Sequence, residues 1–242
     1  MAFLQTEGLT KRFGGLIAVD AISVAVEPGE LVGVIGPNGA GKTTFFSLLS
    51  GFLRPDRGHV MLRNRRITGL PPHRIADLGL ARTFQVVRPF SNMTVLENVA
   101  IACTSPRARR VGSAGGVWRN AREILAALDL EAKAGMPVGT LPFGDLRRLE
   151  IARALATYPD VLLLDEPFSG LSALEAAPII AFVSALARQG TTVLVVEHKL
   201  RELMRLAKRV VVMQFGQIIA DGSPERIARL PSVVEAYLGG TT

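Results

Sequence analysis

Leu31-Val-Gly-Val-Ile-Gly-Pro-Asn-Gly-Ala-Gly-Lys-Thr-Thr44 decides the fold of this 242-residue chain. Its first five residues, Leu31 to Ile35, read as a short buried strand, and a helical run from Lys42 to Ser50 follows. Between them, Gly36-Pro37-Asn38-Gly39-Ala40-Gly41-Lys42-Thr43 fits the phosphate-loop pattern, which chance gives in roughly one chain in a hundred of this length. Glycines are needed because the backbone must wrap around phosphates with its N–H groups turned inward, and a Cβ would block that approach. The helix that follows, beginning with Lys42, Thr43 and Thr44, adds the positive end of its dipole. Lys42 supplies a full charge to the β- and γ-phosphates, and the Thr43 hydroxyl can bind Mg²⁺.

Outward from this stretch, residues 18 to 27 alternate, with Val19, Ile22, Val24 and Val26 apolar, and end at Pro28-Gly29. That pattern predicts a hairpin turning into the strand at Leu31. Buried-strand runs recur at Val161 to Leu164, Val193 to Val196 and Val210 to Met213 with helix-compatible segments between them, which implies a parallel sheet covered by helices. The stretch Thr104 to Gly116 is rich in small residues, Pro and Arg and predicts a mobile loop before a mainly helical insertion, Val117 to Leu155. Val161-Leu162-Leu163-Leu164-Asp165-Glu166 delivers two carboxylates at a strand end. Asp165 is placed to hold Mg²⁺ through water and Glu166 to take a proton from the attacking water.

Composition sets the class. With 48% hydrophobic and 20% charged residues the chain can bury a large core and is not a disordered one. No run reaches the ~18 to 20 apolar residues of a membrane-spanning helix, and residues 1–13 lack the apolar core of a signal peptide. The expected location is therefore the cytoplasm. The single cysteine, Cys103, makes no intramolecular disulfide and reads as a small buried hydrophobe. Of 28 basic residues only five are lysines, and the arginines are scattered without forming one helical stripe. The net charge of +7 suits nucleic acid, anionic lipid or phosphate ligands, or reflects a codon bias alone.

The combination of motifs resembles the ABC transporter ATPases over nearly the whole chain. Besides the phosphate loop and the strand ending in Asp165-Glu166, the resemblance is carried by Phe84-Gln85, by Leu141-Pro-Phe-Gly-Asp145 leading into RRLEIARAL, and by Val195-Val-Glu-His198. More narrowly, KRFGGLIAVD, MTVLENV, EPFSGL, VEHKL and the closing VVEAYLGG resemble the ATPase subunits of branched-chain amino acid importers. The resemblance implies an α/β phosphate-loop NTPase with a mainly parallel sheet core, an N-terminal antiparallel β part and a helical signature part. Residues 1–242 would form one domain, with 1–103 and 157–242 as the nucleotide-binding core and 104–156 as the helical part with its mobile linker.

The same resemblance gives Phe13 the role of stacking on adenine, and Gln85 that of reaching the metal and attacking water. It makes His198 a contact of the γ-phosphate. The loop at Gly144 and Asp145 would close over ATP held by a second chain. Two departures stand out: Pro142 brings neither hydroxyl nor N–H to a phosphate, and Asp145 brings a negative charge. Ser172 stands where the family's interface loop usually has Asp or Asn. The expected protein is an ATP- and Mg²⁺-dependent subunit that energises uptake of branched-chain amino acids or a related small solute, working as a homodimer or heterodimer with a second such ATPase. It would attach peripherally to integral membrane permease subunits, serve a solute-binding protein indirectly, and need no nucleic acid. The apolar stretch Val86 to Ala102 is the candidate docking segment, with a core helix as the alternative. The rival function, a soluble ABC-type ATPase acting on nucleic acid, is favoured by the basic charge.

Overall fold

The computed structural model describes residues 2–85, 88–112 and 114–238. Strands β1 (Leu4–Phe13) and β2 (Leu16–Val26) form an antiparallel hairpin about Gly14-Gly15. The alternation in β2 buries Val19, Ile22 and Val26, as a strand with one covered face requires. β3 (Leu31–Ile35) is instead buried at all five positions and belongs to another sheet. The expected hairpin at Pro28-Gly29 is therefore corrected: β2 turns back on β1, and Pro28-Gly29 carries the chain across to the second sheet. The change from alternating to continuous apolar residues marks the crossing, because a central parallel strand is covered on both faces.

After β3 come the phosphate loop and α1 (Lys42–Leu49), then β4 (Arg57–Leu62) and β5 (Arg65–Arg66), which complete a four-stranded sheet in the order β2-β1-β4-β5. α2 (Pro72–Asp77) leads to β6 (Leu80–Arg82), the outer strand of a six-stranded sheet. Its remaining strands are β7 (Val161–Asp165), β8 (Thr192–Val196), β9 (Arg209–Gln214) and β10 (Gln217–Gly222), in the order β10-β9-β3-β8-β7-β6. β10 runs antiparallel to β9; the other pairings are parallel. One face packs on α1 and the antiparallel sheet through Phe45, Phe46 and Leu49. The other packs on the helices through Leu149, Phe168, Ile179 and Val183.

That helical side contains α3 (Val95–Ala102), α4 (Pro106–Val111), α5 (Gly116–Ala127) and α6 (Phe143–Leu155), followed later by α7 (Ala173–Arg188), α8 (Leu200–Leu206), α9 (Pro224–Ile227) and α10 (Pro231–Leu238). Two sequence expectations change here. Thr104 to Gly116 is not a loop throughout, since Ser105 caps α4 by accepting the Ala108 N–H at 3.2 Å, with Pro106 at its first turn. Ser-Pro is a helix-start signal that the small-residue composition obscured. Arg107 anchors α4, donating to Asp160 Oδ2 at 2.6 Å and to the Tyr158 carbonyl at 2.7 Å. Ser113 lies outside the described residues.

The helical part also begins before residue 104. α3 packs against α5 and α6, and the Val95 and Leu96 N–H groups donate to the carbonyls of Met136 and Ala134. Within the proposed docking stretch, Val86 and Val87 lie outside the described residues, while α3 buries Val95, Asn98, Val99 and Ala100. The core-helix alternative describes α3. Cys103, at its C-terminal end, is buried as expected, and burial pushes its thiol up to about 11. Gly239 and Gly240, which close the VVEAYLGG stretch, lie outside the described residues.

Candidate functional site

Parallel register collects the motifs at one edge of the sheet. Asp165 pairs with Val196, Leu163 with Arg82, and Val34 with Val196. Gly36, Thr83 to Gln85, Glu166 and Glu197-His198 consequently leave neighbouring strands together, at the carboxyl ends where open α/β sheets bind ligands. β3, which feeds the phosphate loop, lies between β8 and β9.

The loop geometry explains two of its glycines. A Cβ on Gly36 would lie 2.1 Å from the Met213 carbonyl oxygen, and one on Gly41 2.1 Å from that of Ala18. Gly41 also has φ +98°, where side chains are strained. α1 starts at Lys42 with no side-chain cap and no acidic residue in its first turn, so its N-terminal dipole is not neutralised locally. Lys42 is buried and donates through Nζ to the carbonyls of Gly36 at 2.7 Å and Pro37 at 3.0 Å. Burial lowers its pKa, opposed by the carboxylates of Glu166 and Asp165.

Opposite the loop, Glu166 stands in the left-handed region at φ +51°, and its N–H donates to the Val196 carbonyl at 2.9 Å. Gln85 Nε2 donates to its Oε2 at 3.0 Å, and His198 Nε2 lies 2.8 Å from its Oε1. These three residues border a cavity of about 490 Å³ together with Phe13 and residues 38–44. Phe13 is 46% exposed at its mouth, and Phe215, 83% exposed, borders it too. Phe215 escaped the sequence reading because it sits in the β9–β10 turn, outside any motif.

The structure does not bring Gly144 and Asp145 into this cavity. Both lie in the first turn of α6, whose N-cap residue Pro142 gives no side-chain cap. Asp145 departs from its expected orientation. Its side chain is 3% exposed and is paired with Lys133 and, at 2.9 Å, with Arg148, so the carboxylate is neutralised inside its own chain. Arg147 stacks on Phe143, 5.1 Å from its ring centroid, and contacts Glu150. Ser172 caps α7, its hydroxyl accepting the Glu175 N–H at 3.3 Å.

Three buried charged residues at the site carry no prior assignment. Arg82 Nη2 donates to Asp165 Oδ2 at 2.8 Å. Glu197 accepts the N–H groups of Phe168 at 2.6 Å, His198 at 3.0 Å and Lys199 at 3.3 Å, fixing the backbone that carries His198. Glu150 accepts the N–H of Phe84 next to Gln85. Burial pushes the carboxyls of Glu150 and Glu197 above the ordinary range, against those donors. Glu197 and Arg82 are charges at apolar strand ends, and Glu150 stands between Arg147 and Arg153 on one helix face, patterns that alone do not distinguish a buried charge from a solvated one.

Asp165 Oδ1 is buried without a hydrogen-bond partner, an orphan acceptor that suits a metal or its water shell. Among the described residues no three His, Cys, Asp or Glu side chains cluster to hold a metal. The Asp165 carboxylate and the Thr43 hydroxyl on one cavity lining fit Mg²⁺, which is commonly bound by one or two protein oxygens plus substrate phosphates and water.

The sequence profile of the ABC transporter family matches residues 19–169, spanning the phosphate loop through Glu166. The chain belongs to the ABC transporter family. As an ATPase cassette of that family, it is 41% identical to the high-affinity branched-chain amino acid transport ATP-binding protein BraF of Pseudomonas aeruginosa, over 98% of this chain and 97% of that protein. Its fold matches the crystal structure of the ADP conformation of an ABC transporter's ATP-binding cassette with a TM-score of 0.89, at 34% identity over 99% of each chain. It also matches a dimeric cassette in a post-hydrolysis state bound to ADP and Pi, with a TM-score of 0.81 and 25% identity over 91% of this chain and 98% of that one.

Proposed function

We propose that this ABC ATPase energises uptake of branched-chain amino acids through separate membrane subunits. The observation that carries the catalytic reading is the convergence of Gln85 and His198 on the two carboxylate oxygens of Glu166 beside the Lys42 loop. Glu166 takes the proton of the attacking water, and His198 and Gln85 hold the carboxylate and the phosphate end of the site. Phe13 offers an exposed ring for the adenine. Thr43 and Asp165 hold Mg²⁺, which supplies charge neutralisation at the transferring phosphoryl group when bound. The solute assignment follows the similarity to the Pseudomonas importer subunit.

A second chain completes the site. Within one chain the α6 N-terminus does not reach the cradle, while Phe13 and Phe215 leave the cavity open at its mouth. The uncapped start of α6 with Gly144 is suited to phosphate oxygens presented by a partner. A cavity of about 750 Å³ beside Gln85 carries Thr43 and Asp165 on its lining together with Phe52, Phe84, Arg88 and Arg153, and these last four form the part of it that seats the membrane subunit. No helix among the described residues is long and apolar enough to cross a membrane, so attachment is peripheral in this reading. Transport is favoured over the nucleic-acid alternative by the similarity to transport ATP-binding proteins, since internal pairs such as Arg82–Asp165 and Arg209–Glu30 leave the net charge of +7 unchanged.

The test is uptake of labelled leucine by cells carrying the permease genes with either the wild-type chain or Glu166→Gln. The reading requires uptake to fall to background in the variant. Unchanged leucine uptake with loss of transport of another solute would overturn the solute assignment.

A further inference from the structure

The two oxygens of Asp165 stand in different situations. Oδ2 accepts from Arg82 Nη2 at 2.8 Å, whereas Oδ1 is buried without a partner. The pair is dry, with side chains 6% and 1% exposed. Arg82 is itself fixed from several sides. Its Nη1 donates to Ser47 Oγ on α1 at 3.0 Å and to Ser50 Oγ at the C-cap of that helix at 3.2 Å. The rings of Phe52 and Phe84, packed edge to face at 5.1 Å, lie 5.9 and 5.3 Å from the guanidinium carbon.

A buried ion pair is a poor stabiliser compared with apolar packing of the same volume, and this one leaves Arg82 Nε unpaired as well. What the arrangement does supply is geometry. A planar guanidinium held by two hydroxyls and two rings presents Nη2 in one direction, which a flexible ammonium would not do. Asp165 is thereby held through one oxygen only. Thr43, Arg82 and Asp165 border the same cavity, which puts the anchored carboxylate and the threonine on one lining.

We propose that Arg82 is a positioning residue for the metal site: it anchors Asp165 through Oδ2 and leaves Oδ1 as the oxygen available to the Mg²⁺ shell. The inference rests on the nucleotide-and-magnesium reading above. Outer-shell partners of this kind typically change metal affinity by about 10- to 100-fold when removed.

The experiment measures ATP binding to the purified full chain by calorimetry, first in EDTA and then across a Mg²⁺ titration, for wild type, Arg82→Met, Arg82→Lys, Asp165→Asn and the Arg82→Met/Asp165→Asn double variant. Arg82→Met should bind metal-free ATP within about twofold of wild type while its half-saturating Mg²⁺ rises by at least about tenfold. Arg82→Lys should fall between the two. The double variant should be no worse than Asp165→Asn, because both changes remove one interaction. A wild-type Mg²⁺ dependence in Arg82→Met would overturn the inference. So would equal loss of metal-free and metal-bound affinity in both Arg82 variants, or full additivity in the double variant, since each marks a general structural role. If wild type itself shows no Mg²⁺ effect on ATP binding, the metal reading falls and takes this inference with it.

Discussion

Replacing Asp145 by Asn separates two accounts of the signature loop. The side chain is 3% exposed and faces Lys133 and Arg148, whose side chains are 36% and 21% exposed. Removing one partner of a fully buried pair costs about 3 to 5 kcal/mol, because the other charge is left without compensation. Here both cations retain access to water and regain part of their hydration, so about 2 kcal/mol is the expected loss. For a domain of this size that lowers Tm by about 4 to 8 °C. The deficit should persist in 1 M salt, since a buried carboxylate is screened far less than a surface one.

The assay is thermal unfolding at low and high salt, combined with sedimentation in Mg-ATP on a Glu166→Gln background. A carboxylate aimed at the nucleotide gives the opposite pattern. Its removal would leave Tm unchanged and strengthen ATP-driven dimerisation about fivefold at low salt, the residue of a partly screened repulsion of about 1 kcal/mol. That outcome would refute the inward-facing geometry. Lys133→Met supplies a control, because its destabilisation should not add fully to that of Asp145→Asn.

Lys42→Ala should abolish tight Mg-ATP binding by removing the cation at the loop, and an affinity within about threefold of wild type would exclude the phosphate-loop assignment. Glu166→Gln should keep ATP affinity and lower turnover by ~10²-fold or more, as steady-state phosphate release will report. The same variant should form dimers in saturating Mg-ATP, measured by sedimentation, alone or with its membrane subunits. Cys103, buried with its thiol at about 11, should resist a maleimide at pH 8 in the native protein and react once denaturant exposes it.

Much of the site was legible because its chemistry is local in sequence. A phosphate cradle needs consecutive residues, and the close approaches of Gly36 and Gly41 to carbonyl oxygens show why no other residue serves there. The continuous apolar runs likewise announced the parallel sheet, whereas the alternating run at residues 18 to 27 pointed to a hairpin with the wrong neighbour. Long-range pairing was not legible. That Arg107 ties α4 to Asp160 depends on a partner 53 residues away, whereas the return of β2 on β1 at Gly14-Gly15 and the turn of Asp145 towards Lys133, 12 residues back, are nearer pairings that no motif marks. The misreading of Asp145 is instructive: a carboxylate after a glycine at a helix start was judged against an expected ligand, while its satisfying cation came from the preceding short helix, Glu131–Lys133.

The buried charges join these separate motifs into one mechanical unit. From α6, Arg147 donates to the Phe84 carbonyl at 3.4 Å, Glu150 accepts the Phe84 N–H, and Arg153 donates to the Arg88 carbonyl at 2.9 Å. Spaced three residues apart, they lie on one helix face and grip the backbone on both sides of Gln85. Gln85 in turn holds Glu166, and the Phe84 ring lies over the guanidinium that holds Asp165. A shift of α6 relative to the sheet must therefore either strip buried acceptors of their donors or carry the Gln85 segment with it. Stripping is the costlier course, since a buried carboxylate left unpaired loses its whole solvation without compensation. Under the proposed function, the helix whose N-terminus faces a partner's nucleotide is thus bonded to the residues that orient Glu166, the general base, and Asp165, the metal ligand, of its own chain.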